Sequence, residues 1–265
     1  MNPETVSLLC RPGTHEPLYL ASTSGPVGGK QEELVCVHSG ERFRVRDGIP
    51  ILLDESKVSG FNLRYQKFYN RIALLYDTSI KLFAFLVGGG EAHFRGEYLR
   101  ELEVRDGDRL IEVSIGTGAN LRYMPATATY FGLDLSWEML RRCQRNLKRW
   151  RLQAELILGN AEELPLHDES FDAVLHVGGI NAFNDRAKAL SEMARVARSG
   201  TKIVIVDETA KLTESFAWIP GVRGVLRKYG ERFSAPVGLV PKGMKDVHVK
   251  EFAKGNLYCL TFRKP

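Results

Sequence analysis

An α/β fold built on a doubly wound parallel sheet is predicted for this chain by three observations. From Asp106 onward, short apolar strand patterns alternate with helical ones. The first of these strands ends in an acidic residue and a glycine turn. A second acidic residue closes the next strand. Alternation of this kind argues a parallel sheet with helices on both faces.

The elements follow in order. Arg109 to Val113 reads as a buried strand. Tyr130 to Leu133, Glu155 to Leu158, Ala173 to Val177 and Lys202 to Val206 are further strands, separated by helical stretches at Ser136 to Arg151 and Arg186 to Arg198. Val247 to Phe252 and Leu257 to Phe262, joined around Lys254-Gly255-Asn256, read as a terminal antiparallel hairpin. These elements define a domain over residues 106–265.

Two segments precede it. Residues 1–56 carry short apolar stretches (Leu18 to Leu20, Leu34 to Val37, Phe43 to Val45, Ile49 to Leu53) between Gly, Pro and Ser clusters, the pattern of a small β-rich module. Residues 57–105 read as a helical lid. Phe61, Tyr65, Phe68, Tyr69, Ile72 and Tyr76 recur at helical spacing, so one face is aromatic. Ser79 to Val87 continues as a more apolar helix that Gly88-Gly89-Gly90 ends, and Glu91 to Leu102 forms another.

Composition excludes several classes. Of 265 residues, 44% are hydrophobic and 26% charged, as in globular proteins and unlike disordered or fibrous ones. The longest apolar run, Leu82 to Val87, is far short of the roughly 20 residues that span a bilayer. The N-terminus lacks the basic-then-apolar order of a signal peptide, so a cytoplasmic location is expected. Cys10, Cys36, Cys143 and Cys259 are far apart and are expected as reduced thiols. The net charge of +5 permits contact with nucleic acid or anionic lipid without demanding either. Arg141, Arg142, Arg145, Lys148, Arg149 and Arg151 crowd one helix, and Arg223, Arg227, Lys228 and Arg232 follow. A solvated helix face is the ordinary reading, and nucleic acid is not favoured as a partner.

The chemistry centres on Leu110 to Asn120 (LIEVSIGTGAN). A strand ends in Glu112 and turns through Gly116 and Gly118 into a helix. Glycines there let a ligand touch the backbone, and the carboxyl ends of strands in open α/β sheets are where ligands bind. Asp134 ends the next strand, where a carboxylate can accept hydrogen bonds from both ribose hydroxyls of an adenosyl group. The dinucleotide fingerprint needs a third glycine beside a pyrophosphate; that position is Leu121. S-adenosyl-L-methionine (SAM) has no pyrophosphate, so the missing glycine favours SAM over NAD.

Three further stretches keep this order: Gly159-Asn160-Ala161-Glu162-Glu163-Leu164-Pro165-Leu166, Ser170 to His176, and Glu192 to Gly200. Together with the glycine turn they resemble the motifs of class I SAM-dependent methyltransferases with a Rossmann-like domain. The resemblance is nearest to the ubiquinone/menaquinone C-methyltransferase type and runs from about Tyr65 to Pro265. It implies that Glu112, Gly116 and Gly118 flank the methionine part of SAM, with Ser114 and Asn120 in the same turn. Asp134 would hold the ribose, Leu135 and Met139 would pack on adenine, and Asn160, Ala161 and Glu162 would meet its edge. Ser114 stands where the first glycine of the turn is typical, and Asn160 where aspartate is common.

Residues 1–55 resemble small zinc-ribbon-like proteins that partner tRNA and release-factor methyltransferases, through Leu9-Cys10, Leu34-Val35-Cys36 and Asp47 to Leu53. A ribbon needs two close cysteine pairs. Here Gly13 and Ser39 stand where the second members belong, so no metal site is expected.

Methyl transfer from a sulfonium needs alignment and exclusion of water above all. The acceptor is therefore not written in the donor motifs. Val177-Gly178-Gly179-Ile180-Asn181 replaces the motif that marks amino groups of DNA bases, and no cysteine follows a proline, as C5 methylation of pyrimidines requires. An apolar, aromatic or quinone-like small molecule is the favoured acceptor, with Tyr65, Tyr69 and Tyr76 as pocket walls. An RNA or protein methyltransferase and a non-catalytic SAM-binding protein are the alternatives. His176, which also counts among the cofactor-side residues, and Tyr76 are the candidate catalytic residues; Asn181 and Asp207 are weaker ones. The oligomeric state is left open.

Overall fold

The computed structural model describes residues 1–24, 30–54, 56, 58–67, 69–71, 85, 90–215 and 230–265. Among these residues, eleven strands form one sheet: β1 (Leu18–Ser24), β2 (Lys30–Cys36), β3 (Arg42–Arg46), β4 (Ile49–Leu52), β5 (Arg109–Val113), β6 (Thr129–Asp134), β7 (Glu155–Gly159), β8 (Ala173–Val177), β9 (Lys202–Glu208), β10 (Lys245–Phe252) and β11 (Leu257–Arg263). Their order is β1-β2-β3-β4-β7-β6-β5-β8-β9-β11-β10.

Strands β5 to β9 run parallel. The order reverses between β5 and β8, so their carboxyl ends open a crevice there, where ligands bind in such sheets. These strands are apolar on both faces because both faces are covered. Alternation sorts their side chains into two layers. Ile111, Val113, Val174, Ile203 and Ile205 belong to one core, and Leu110, Ala173, Leu175, Val204 and Val206 to the other. The terminal hairpin closes the edge antiparallel to β9, with Tyr258 opposite Asp207.

Helices cap as the sequence requires. Ser136 Oγ accepts from the Met139 N–H at 3.1 Å and starts the Trp137–Trp150 helix, which buries Met139, Leu140, Cys143 and Leu147 at helical spacing. Asp185 Oδ1 accepts from Lys188 N–H at 2.9 Å and starts the Arg186–Val196 helix. Gly90–Leu99 forms a helix that continues as a tighter turn to Leu102. The turn from β5 leads into a short 3₁₀ segment, Ala119–Tyr123, and not into a longer helix. No described helix is long and apolar enough to cross a membrane.

The N-terminal strands are continuous with the main sheet. β4 pairs parallel with β7, Ile51 opposite Leu158 and Leu52 opposite Gly159. Upstream, Cys10 N–H donates to Pro165 O and His167 N–H to Leu8 O, both at 3.0 Å, so residues 8–10 lie along the 165–167 stretch. Arg46 stacks on Trp137, its guanidinium carbon 4.8 Å from the ring centroid. Cys10 and Cys36 are buried free thiols. Burial pushes the Cys10 thiol up to about 12. Among the described residues, no three His, Cys, Asp or Glu side chains gather where they could hold a metal ion.

Candidate active site

The crevice holds two adjoining cavities that share Tyr69, Ser114, Gly116, Val177 and Gly178. The smaller, about 70 Å³, is lined by Asp134, Leu135 and Met139 under Asn62, Tyr65 and Gln66. The larger, about 350 Å³, is lined by Glu112, Asn120, Phe94, Arg95, Asp207, Glu208 and Leu257.

The turn after β5 shapes both. Gly116 is left-handed (φ +56), and among the described residues nothing beyond its two chain neighbours lies within 4 Å of where a Cβ would stand. That space is open for a ligand against bare backbone. Gly118 (φ +76) differs, because a Cβ there would meet Cys143 Sγ at 2.6 Å. Its glycine serves packing against the Trp137–Trp150 helix, not ligand approach. Ser114 is also left-handed (φ +63), as the glycine usual at this position would be without strain.

Asp134 is buried. Its Oδ2 accepts from Gly116 N–H and its Oδ1 from Ser136 N–H, each at 2.8 Å. Burial outweighs these bonds and raises the carboxyl to about 6. Residues 60–67 and 69–71 are helical and cross above it. Gln66 Nε2 donates to Leu135 O at 2.9 Å, and the Tyr65 and Tyr69 rings stand 5.1 Å apart. Asn62 Nδ2 donates to Glu162 Oε1 at 2.8 Å, tying this segment to the loop after β7.

Glu112 sits at the floor of the larger cavity, 1% exposed. Its Oε1 accepts from Asn120 Nδ2 at 2.5 Å, while its buried Oε2 has no hydrogen-bond partner among the described residues. Burial raises this carboxyl to about 8. Asn120 Oδ1 accepts from Tyr98 Oη (2.7 Å) and Arg95 Nη1 (2.6 Å), and Arg95 is itself forked onto Glu91. The buried unpaired oxygen fits the α-ammonium of a methionine moiety, and Arg95, on the same cavity wall, fits its carboxylate. The residues present therefore fit SAM.

Sequence reasoning named Glu112, Ser114, Gly116, Asn120, Asp134, Leu135 and Met139, and all of these line the cavities. Gly118, Asn160, Ala161, Glu162 and His176 do not. Asn160 Oδ1 accepts from Glu162 N–H at 3.0 Å, and Glu162 also accepts from Asp185 N–H. His176 shares a sheet face with Val174 and so points away from Glu112. It is wholly buried, its Nδ1 is 3.0 Å from Val113 O, and its ring meets Phe183 edge-on. Burial depresses it to about 4, which leaves it neutral and a poor base near pH 7. Asn181 is buried too, donating to Glu208 O at 2.9 Å. Tyr76, Phe68, Ile72, the 79–84 and 86–89 stretches, Arg223, Arg227 and Lys228 lie outside the described residues. Arg232 is no part of a basic surface: it donates to the carbonyls of Asn181 and Phe183 and stacks on Phe61. Sequence reasoning missed Arg95, Tyr98 and Glu208. The Glu91/Arg95 spacing of one helical turn was the available signal for the first.

Residues 111–205 match the family model described as a methyltransferase domain. The chain is 28% identical over 172 residues to a demethylmenaquinone methyltransferase of Thermotoga maritima, covering 60% of this chain and 72% of that protein. It is 36% identical over 107 residues to a phosphatidylethanolamine N-methyltransferase of Cereibacter sphaeroides, covering 40% of this chain and 53% of the relative. A SAM-dependent methyltransferase from Aquifex aeolicus shares the fold, with a TM-score of 0.52 at 20% identity over 63% of this chain and 88% of that one. The matched domain spans β5 to β9, the strands that build the crevice, and its glycine turn and carboxylates fit the methyl donor. The matched domain, these relatives and the shared fold support a class I SAM-dependent methyltransferase with SAM as its cofactor.

Proposed function

We propose that this protein methylates a small, apolar, aromatic or quinone-like acceptor. The observation that carries this reading is the larger cavity. It begins at Glu112 and Gly116 and extends beyond them between Phe94, Val206, Leu212 and Leu257. Its volume of about 350 Å³ lies within the range of small-molecule pockets, and its far wall is mostly apolar with few polar groups. Two relatives named for methyl transfer to demethylmenaquinone and to phosphatidylethanolamine support a lipophilic acceptor.

When bound, SAM supplies an electrophilic methyl on a sulfonium. The protein's task is to fix and desolvate. Asp134 receives the ribose hydroxyls, Leu135 and Met139 pack on the base, and Glu112 receives the ammonium. Residues 60–67 and 69–71 roof the ribose half through Tyr65, Gln66 and Tyr69 and exclude water.

Labelled SAM incubated with a cell extract, then separated into lipid-soluble, RNA and protein pools, tests the acceptor class. Label in the lipid-soluble pool is expected. Label in RNA or protein alone defeats the reading, and label in no pool supports a donor-binding protein without catalysis. For the donor site, Asp134→Ala is expected to weaken SAM binding by about 1.5–3 kcal/mol in calorimetry; unchanged affinity removes the ribose assignment.

A further inference from the structure

We propose that Glu208 is the catalytic residue that takes the acceptor's proton, and that the acceptor therefore presents an ionisable hydroxyl beside the methyl donor. This rests on the small-molecule reading above and goes beyond it by naming the base and the acceptor's reacting group.

Alternation along β9 puts Glu208 on the face of Val204 and Val206, covered by the Gly90–Leu99 helix, while Asp207 points to the opposite face. Glu112 lies on the same face as Glu208, since it alternates in step with Leu110. Both carboxylates line the larger cavity. The strand register fixes their separation. Glu112 is level with Leu175, and Leu175 with Val204. Glu208 thus lies two strand spacings across, roughly 10 Å, and four residues further along, roughly 13 Å. That span leaves room for the donor's sulfur and an acceptor ring between them. Leu212 and Leu257 flank Glu208 and keep its side of the cavity apolar. The unpaired Glu112 Oε2 marks the donor end of the same cavity independently.

Asp207 positions and tunes Glu208. Its carboxylate accepts from the backbone N–H groups of Gly179 (3.2 Å), Asn181 (2.9 Å) and Glu208 (2.9 Å), which fix its place beside Glu208. Burial, the neighbouring Asp207 carboxylate and a hydrogen bond between the two side chains push the Glu208 carboxyl well above the ordinary range, so that ionised Glu208 is a strong base. Among the described residues, the other titratable groups around the pair are Glu112 on β5, His176 on β8, Arg95 on the Gly90–Leu99 helix, Tyr258 on β11 and Tyr69 on the cavity wall. None of them is a free base on the acceptor side, since Glu112 faces the donor, His176 faces away and Tyr258 Oη donates to Asn181. In the reaction the acceptor's O–H proton passes to a Glu208 oxygen. The electron pair released makes its oxygen or conjugated ring carbon attack the methyl. The methyl–sulfur bond breaks with its electrons staying on sulfur, leaving S-adenosylhomocysteine and protonated Glu208.

The test uses the full chain and two probes. With naphthohydroquinone and labelled SAM, Glu208→Gln is expected to lower kcat about 100-fold or more, with SAM binding within about twofold of wild type by calorimetry, which also reports folding. Wild-type kcat rises with pH along an ascending limb; Glu208→Gln loses that limb and Asp207→Asn moves it to lower pH. Turnover of Glu208→Gln within threefold of wild type, or an unmoved limb, overturns the proposal. Should wild type leave naphthohydroquinone unmethylated, the quinone-like acceptor fails, and Glu208 is judged by the second probe. 1-Naphthol bound to the protein with S-adenosylhomocysteine is expected to ionise at higher pH in wild type than in Glu208→Gln, because the carboxylate beside it opposes the naphtholate charge. An identical naphthol titration in both proteins overturns the proposal.

Discussion

At the residue scale, the site is governed by carboxylates kept out of water. Ionised Glu112 inside the protein is opposed by burial and favoured only by Asn120 and the more distant Arg95. At pH 7 it is mostly protonated. An incoming ammonium stabilises the ionised form, so binding must release a proton at any pH below about 8. Affinity for S-adenosylhomocysteine should therefore rise with pH up to about 8 and then level off. Titrations in two buffers of different ionisation enthalpy should give proton release in wild type and less of it in Glu112→Gln. Equal release in both removes Glu112 as the ammonium partner. That Glu112, Gly116 and Asp134 border the crevice was legible because it follows from backbone position alone. His176 falls outside the cavities for a related reason. Its place at a strand end was readable, but the face it occupies depends on the register of β8 between β5 and β9, and period two sends neighbours to opposite sides. The same period hid Glu208, one residue beyond Asp207.

At the element scale, every strand of the main sheet was legible to within a residue or two, because buried parallel strands read as short apolar runs. What pattern could not give was partnership. The N-terminal strands read as a separate module, yet β4 pairs with β7 and extends the sheet beside the loop that follows it. No local signal encodes a parallel pairing between residues a hundred positions apart. Leu9 carries much of this junction: it is fully buried, bridges Leu166 and belongs to the same core as Leu164 and Phe171. Leu9→Ala is expected to cost about 2–5 kcal/mol in denaturant unfolding, with one cooperative transition if the module and sheet unfold together. A cost below about 1 kcal/mol, or a separate early transition, shows that the N-terminal strands do not support the sheet.

At the scale of the whole molecule, the site should be visible in how stability depends on pH. Groups of opposite shift act in different windows. Glu101, hydrogen-bonded by Lys202 and Lys250, is held at about 2, so the stability it gives is present above its ordinary value near 4.5 and is lost as pH falls. It is partly exposed, so this share is small. His176 is depressed to about 4, so stability falls as pH drops from 6.5 toward 4 while the unfolded chain alone takes up a proton. Glu112 and Glu208 are shifted the other way. Their neutral folded forms give stability that is complete below about 4.5 and is lost as pH rises through the folded value, about 8 for Glu112. Asp134, raised to about 6, has finished its loss by about pH 6.5. From pH 6.5 to 8 the two glutamates dominate, and Glu112 alone removes up to about 2 kcal/mol across that window. The ligand-free protein should therefore melt at falling temperature as pH rises from 6.5 to 8. Saturating S-adenosylhomocysteine pairs Glu112 with an ammonium and should flatten the slope, so that the ligand's gain in Tm grows with pH. Scanning calorimetry at four pH values with and without the ligand measures both. A ligand-free Tm that is level or rising from pH 6.5 to 8 means that the buried glutamates are not neutral in the folded protein, and the donor site would then have to be read with Glu112 already ionised.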